Sequence, residues 1–393
     1  MICNLCEIGD SKINFSLGKQ PLANKYPKNQ NEINDEKLYD MNILFCDTCL
    51  SCNLPINVDR KIFFSDYYYL SSVNKELVDH FNKFAEELMD KKLVLDIGSN
   101  DGILLKPLKD LNINCIGVEP SENVGKIAND LGFKTLISFF NKKCSDKIIS
   151  NYGKPDCIVA SSVFTHLESP KNFIIDAKNT LSDDGVLIIE VEYLLNILEK
   201  MQFERFYFDR PFYYTLTSLK CIFSLEGMEI VDVKLITPHG GSLRVYVKKK
   251  SKNQVVSQNV FNMLKNEKKI ISEIFIKKKF SNFKNEIHNL LRNLNLLKDK
   301  NIAVKGYGAP ARLATITNFA NIDKKLIEYI IDDSELKMNR FSPGKHIPIK
   351  PYNPKEELSH VILFAYEYFH SIKTKIEQKN VEFYNPIPFE KLI

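Results

Sequence analysis

The run KKLVLDIGSNDG, residues 91–102, constrains this chain more than any other stretch. VLDI is a short apolar segment that reads as a buried strand. It ends in a loop containing Asp96, Gly98, Asn100 and Gly102. Glycines in such a loop let the backbone approach a ligand closely. CIGVEPS, residues 115–121, reads as the next strand and carries Glu119 at its end. An acidic side chain there can accept both ribose hydroxyl hydrogens. DCIVASSVFTHL (156–167) reads as a strand with a ligand-facing turn, and LSDDGVLIIEVEY (181–193) as a turn and another strand. Strands alternating with helical stretches give a mostly parallel sheet, so the fold class is α/β with a Rossmann-like unit. The pattern D-x-G-x-N-x-G departs from the G-x-G-x-x-G of dinucleotide sites. It suits a ligand with no pyrophosphate to cradle, and Asp96 suits a cationic end. S-adenosylmethionine meets both conditions. A nicotinamide-dependent oxidoreductase is an enzyme alternative weakened by the glycine spacing.

The next constraint is Cys3, Cys6, Cys46 and Cys49, a C-x2-C…C-x2-C arrangement. Each pair can place two thiolates on one metal from a tight turn, and four thiolates make the tetrahedral site that zinc favours. Four-sulfur iron sites share the spacing, and Cys52 is a spare thiol that could compete. No histidine lies near enough in sequence to suggest an open catalytic site, so a closed structural zinc is expected. The alternative is four unrelated buried thiols.

At 393 residues the chain needs two or three domains. The net charge of +5 comes from scattered lysines, and KKK at 277–279 reads as a solvated helix face, which argues against nucleic acid as a partner. No apolar run is long enough to span a membrane. The N-terminus lacks the basic and apolar regions of an export signal, so a cytoplasmic location is expected. In that compartment cysteines serve as metal ligands or buried thiols more often than as disulfides.

Several residues invite chemistry. His166 stands near the open end of a strand, where ligands bind on such sheets; a satisfied structural histidine is the alternative. SDYYYLSS (65–72) and QFERFYFDRPFYYTLTS (202–218) crowd aromatic rings around polar groups, including Asp209 and Arg210. These rings line a pocket over a sugar or base, or close a domain interface. PHGGSLRVYV (238–247) joins His239, a glycine pair and Arg244 to a strand. That His and Arg can meet a carboxylate or phosphate, or simply mark a hairpin turn with a surface arginine.

With these pieces in this order, the chain resembles the sugar C-methyltransferase family, enzymes that methylate a carbon of a nucleotide-linked deoxysugar. The resemblance runs over nearly the full length. It is carried by CNLC with FCDTC, GKQPLAN at 18–24, YYYLSS at 67–72, LDIGSNDG at 95–102, GVEPS at 117–121, PHGGSLR at 238–244 and VKGYGAPARLATITNF at 304–319. It implies an N-terminal zinc-binding and substrate-cap domain over 1–72, a central S-adenosylmethionine domain over 73–250, and a C-terminal Rossmann-like domain over 251–393. The last would hold a nucleoside-diphosphate sugar, with Lys305, Gly306, Tyr307 and Gly308 leading into a helix N-terminus suited to phosphate. The implied setting is sugar biosynthesis for a surface polysaccharide or glycoconjugate.

Carried over, Tyr69 and Tyr207 stand near the sugar and His166 near its reacting region. The family has a Tyr-His-Glu-His segment whose last histidine removes a proton beside a keto group. The aligned residues here are Tyr207, Phe208, Asp209 and Arg210. Both histidines are gone. Arg210 stays protonated and does not act as a base, whereas it can stabilise an enolate or bind an anion. Asp209, His166 or His239 remain as bases for carbon methylation. Methylation of an amine or hydroxyl, which needs no carbon acid, is the other enzymatic outcome. A catalytically altered binding or assembly protein is a rival from another class, opposed by the intact cofactor loop.

Overall fold

The computed structural model describes residues 1–54, 58–59, 61–64 and 70–393. The chain forms two compact units, each assembled from separated stretches. One joins Met1–Lys12, Phe45–Asn196 and Arg210–Ser272; the other joins Ile13–Leu44, Ile197–Asp209 and Glu273–Ile393. The three stretches expected from the sequence follow chain order, and the units interleave them. Ring packing explains part of this: in the second unit Phe15 meets Phe203, Phe206 and Phe280 with centroids 5.0, 5.4 and 4.6 Å apart. Burying such rings favours compactness over chain order.

The chain opens with β1 (Ser11–Gln20), β2 (Tyr39–Cys46) and β3 (Cys52–Asn53). The first unit then adds β4 (Leu93–Ile97), β5 (Asn114–Glu119), β6 (Thr135–Ile137), β7 (Cys157–Ser161) and β8 (Val186–Glu192). After these come β9 (Phe212–Tyr213), β10 (Met228–Ile236) and β11 (Ser242–Lys249). β3 pairs antiparallel with β9, setting Cys52 opposite Tyr213. The main sheet has seven strands in the order β10-β11-β8-β7-β4-β5-β6. β4 to β8 run parallel, and the β10–β11 hairpin closes one edge antiparallel. The order reverses at β4, which lies between β5 and β7. The carboxyl ends of the strands beside such a reversal are where ligands bind on open α/β sheets. Parallel strands are covered on both faces and read as continuous apolar runs. β8 follows that rule except at Glu190 and Glu192, both buried.

Local signals set the flanking helices. Asn74 caps the helix Lys75–Glu86, its side chain accepting from the amides of Glu76 and Leu77. That helix buries Leu77, Phe81, Phe84 and Ala85 against Val94, Leu104, Val159 and Ile188. Thr215 and Ser218 form a capping box on the helix Leu216–Leu225. The buried Glu267 carboxylate accepts the amides of Leu216 and Thr217 at 2.6 and 2.7 Å, complementing the positive end of that helix.

The second unit carries β12 (Val304–Tyr307), β13 (Ile330–Ile331), β14 (Ile349–Lys350), β15 (His360–Leu363), β16 (Glu382–Asn385) and β17 (Glu390–Leu392). They form a six-stranded sheet in the order β14-β13-β12-β15-β16-β17, parallel up to the antiparallel β17. In the chain, the helices Gln258–Ile270 and Glu273–Asp299 precede these strands. The latter buries Ile276, Phe280, Phe283, Ile287, Leu290 and Leu294, a stripe at helical spacing. Among the described residues, no helix is long and apolar enough to cross a membrane.

Candidate active site and metal centre

The four cysteines meet. Cys3, Cys6, Cys46 and Cys49 place their sulfurs within 4.8 Å of one another, all buried. Cys3 and Cys49 are 3.9 Å apart, as are Cys6 and Cys46. Roughly 3.8 Å is the edge of a tetrahedron of zinc–sulfur bonds. Four thiols so placed cannot all ionise unaided. Hydrogen bonds from Cys46 and Cys49 hold Cys3 well below the usual thiol range. The bond to Cys3 pushes Cys46 up to about 11. A divalent cation resolves that conflict. Gly9 lets the two knuckles touch, since a Cβ there would lie 2.8 Å from Cys46 Sγ. The Gly9 amide donates to Cys6 Sγ at 3.5 Å. Cys52 is buried nearby in the chain but stands outside the group of four.

The cofactor loop follows β4. Gly98, Asn100 and Gly102 have φ of +73°, +49° and +89°. At Gly98 an added Cβ would lie 2.1 Å from Val163, so only glycine allows this close passage. Glu119 fixes the loop: Oε2 accepts the Asn100 amide at 3.0 Å, and Oε1 accepts the Ser121 amide at 2.8 Å. Each oxygen keeps a lone pair for a ribose hydroxyl. Burial pushes the Glu119 carboxyl up. The Asn100 side chain accepts the Ser71 amide at 2.9 Å, so Asn100 shapes the loop through its own hydrogen bond. Asp101 takes the Ser72 amide and hydroxyl.

Asp96 is buried, and burial together with the charges of Glu119 and Glu190 pushes its carboxyl up to about 8. Acids gathered in this way favour a ligand that brings positive charge. The sulfonium and ammonium of S-adenosylmethionine satisfy that condition, so the residues present fit the group.

Around the same edge, Ser162 and His239 have positive φ, +58° and +56°. Such values are uncommon outside glycine and concentrate at functional turns. His166 lies on the 164–166 turn after β7, half-buried, and His239 on the 238–240 turn between β10 and β11, also half-buried. Arg210 forms a buried ion pair with Glu192 at the end of β8. Arg244 is 3% exposed: Nε donates to Glu190 at 2.7 Å, Nη1 to Glu87 at 2.9 Å, and the guanidinium stacks 3.7 Å from the Phe84 ring centroid. His80 also reaches Glu190, at 3.0 Å. Arg244 therefore ties strands to a helix, and its charge is met within the fold. Glu190 and Glu192 escaped the sequence reading. Their signal was two charges in alternate positions of an otherwise apolar strand.

In the second unit, β12 runs into a turn where Gly308 has φ +85° and an added Cβ would lie 2.4 Å from Ala365. Gly306 lacks a Cβ that would lie 2.3 Å from Ile330. Asp332 braces the turn, accepting the amides of Ala309 at 2.6 Å and Ser334 at 2.9 Å. The Ala309 carbonyl accepts from Tyr26 Oη at 2.7 Å and Lys337 Nζ at 3.0 Å. Tyr307 donates to Asp333, and Lys305, buried, donates to the Glu357 carbonyl at 3.2 Å. Tyr207 and Asp209 belong to this unit and are buried; both lie close enough to raise the Tyr26 hydroxyl, after burial and Asp332. Tyr67, Tyr68 and Tyr69 lie outside the described residues. Asn24, Tyr26 and Lys337 were not singled out from sequence, where single polar residues in loops carry no periodic signal.

Residues 3–64 match the model of a zinc binding domain, 69–233 that of a methyltransferase domain, and 237–388 that of a C-methyltransferase C-terminal domain. The chain is 26% identical to the C-methyltransferase NovU of Streptomyces niveus, covering 100% of this chain and 96% of that protein. Among solved structures, the CcbJ methyltransferase of Streptomyces caelestis is 12% identical, covers 49% of this chain and 100% of its own, and gives a TM-score of 0.38. A magnesium protoporphyrin IX methyltransferase of Synechocystis with bound SAM is 15% identical, covers 44% and 79%, and gives 0.34.

Proposed function

Because the chain belongs to the C-methyltransferase family with a zinc-binding N-terminal module, and is an S-adenosylmethionine-dependent methyltransferase, we propose that it methylates a carbon beside the keto group of a nucleotide-activated sugar. The observation that most supports a sugar nucleotide is the second unit's braced glycine turn, which presents Lys337 and Tyr26 beside the carboxyl end of a parallel sheet. The Lys337 ammonium has N–H donors beyond the one given to the Ala309 carbonyl, and these suit the oxygens of a phosphate.

S-adenosylmethionine supplies an electrophilic methyl whose transfer leaves a neutral thioether. Glu119 and the 96–102 loop would hold it, and the carboxyl of Asp96 would favour its positive charge. Asp209 takes the proton from the carbon beside the ketone, leaving an enolate whose carbon forms the new bond. Arg210, held by Glu192, keeps a fixed positive charge for the anionic oxygen. The chain aligns donor and acceptor and excludes water, which contributes much of the rate in such a displacement. The four thiolates would close a zinc shell, and such a metal would stabilise the fold.

A second reading rests on one observation. Phe208 and Arg210 stand where the family it resembles has histidines, and Arg210 is committed to Glu192. An amine or hydroxyl acceptor would then be methylated without a carbon acid. The experiment that separates them is incubation of zinc-loaded protein with S-adenosylmethionine and a panel of keto and amino nucleotide sugars in deuterated water. A new carbon-bound methyl in the product NMR spectrum, with deuterium at the neighbouring carbon, supports the proposal. A methyl found only on nitrogen or oxygen sinks it in favour of the second reading.

A further inference from the structure

Asp209 is 4% exposed. Its carboxylate is met by a side chain far away in sequence: Asn24 Nδ2 donates to Asp209 Oδ2 at 2.5 Å. Asn24 ends the GKQPLAN segment, which neither the metal centre nor the cofactor loop uses. The backbone beyond it is pinned within the same unit. Tyr26 Oη donates to the Ala309 carbonyl at 2.7 Å, Arg340 Nη1 to the Tyr26 carbonyl at 3.2 Å, and the Phe341 amide to the Pro27 carbonyl at 2.9 Å. An amide on so anchored a stem has little freedom to swing away.

We infer that Asn24 is a positioning residue for Asp209, fixing which carboxylate oxygen is engaged and favouring the ionised form that can accept a proton. The inference rests on the reading of Asp209 as the proton acceptor. A hydrogen bond donated to a carboxylate stabilises the charged form over the neutral one. It also orients the lone pairs left over for the substrate. Asp209 shares the neighbourhood of the Tyr26 hydroxyl with Asp332 and Tyr207. Lys337 lies 5.5 Å from the Tyr26 ring centroid, and Arg210 follows in the chain but pairs with Glu192. The stretch 18–27 thus fastens Asp209 at Asn24 and the glycine turn at Tyr26.

The test is a carboxyl-carbon NMR titration of zinc-loaded, aspartate-labelled protein, with the Asp209 signal identified by its loss in Asp209→Asn. Asn24→Ala is expected to move the Asp209 midpoint upward by about one pH unit. Asn24→Asp, which keeps the volume and adds a second acid, moves it further and carries the test should the alanine variant not fold. With the acceptor found in the panel, kcat falls and its acid limb moves up by the same amount while KM changes little. A midpoint unchanged in a folded Asn24 variant overturns the inference. If Asp209→Asn leaves turnover intact while Asn24→Ala still moves the Asp209 midpoint, the proton-acceptor reading fails and the positioning contact stands.

Discussion

In the first unit Glu119, at the end of β5, accepts the amides of Asn100 and Ser121 at 3.0 and 2.8 Å. In the second, Asp332, just past β13, accepts those of Ala309 and Ser334 at 2.6 and 2.9 Å. Each acid ends the strand that neighbours the glycine turn, and each binds one amide of that turn and one two residues beyond itself. What differs is the company. The first turn is ringed by Asp96 and Glu190, the second by Lys337 and Tyr26. The same backbone device is therefore set in a negative field in one unit, and beside an ammonium and a phenol in the other. Geometry is shared, and the surrounding charge differs.

The largest expected effect separates the units rather than the turns. Only the first carries the thiolate cluster, so Cys46→Ser should release zinc and remove metal-linked folding energy on the order of 10 kcal/mol. Native mass spectrometry should show a zinc-free chain. Calorimetry should show the transition of the first unit lowered and that of the second kept. A single lowered transition would mean that the two units unfold together.

Next come the two bracing acids. Glu119→Ala should weaken S-adenosylmethionine binding by about 3 kcal/mol, roughly a hundredfold, through lost ribose contacts and a loosened loop. Asp332→Ala should leave that binding unchanged and weaken a nucleoside-diphosphate sugar instead. Isothermal titration of each variant with each ligand checks the pair. Equal losses for both ligands in either variant would break the comparison.

The last expected effect is a slope. The folded value of Asp96 is raised to about 8, so the ligand-free folded protein retains a proton that the unfolded chain has released. Its stability should therefore fall as pH rises from about 4 through 8, by at most about 1.4 kcal/mol per unit, with no penalty below the unfolded value. Affinity for the cationic cofactor should rise over the same window, because the ionised acid attracts it. Melting curves across pH should flatten in Asp96→Asn. A slope that survives the substitution would assign the titration to another group.

Much of this was legible in the chain. The Cys pairs and the strand–glycine–strand pattern of 93–119 are local signals. Each follows from short-range stereochemistry, periodic burial or ligand spacing, and each appears as read. Arg244 shows the limit. In sequence it is a donor beside a flexible glycine pair; in the fold Glu190, Glu87 and Phe84 surround it. Arg210 likewise reads as an arginine in an aromatic loop until β8 brings Glu192 to it.

The sequence by itself determined the class of the fold, the cysteine cluster and the strand running into a glycine turn, because those depend on residue types a few positions apart. Tertiary structure alone decided that Asn24 meets Asp209, that Tyr26 meets the turn at Ala309, and that Phe15 packs with Phe203, Phe206 and Phe280. Those contacts join residues far apart in the chain. Apolar burial and hydrogen-bond satisfaction select them across the whole fold, and no local pattern encodes which distant partner will be met.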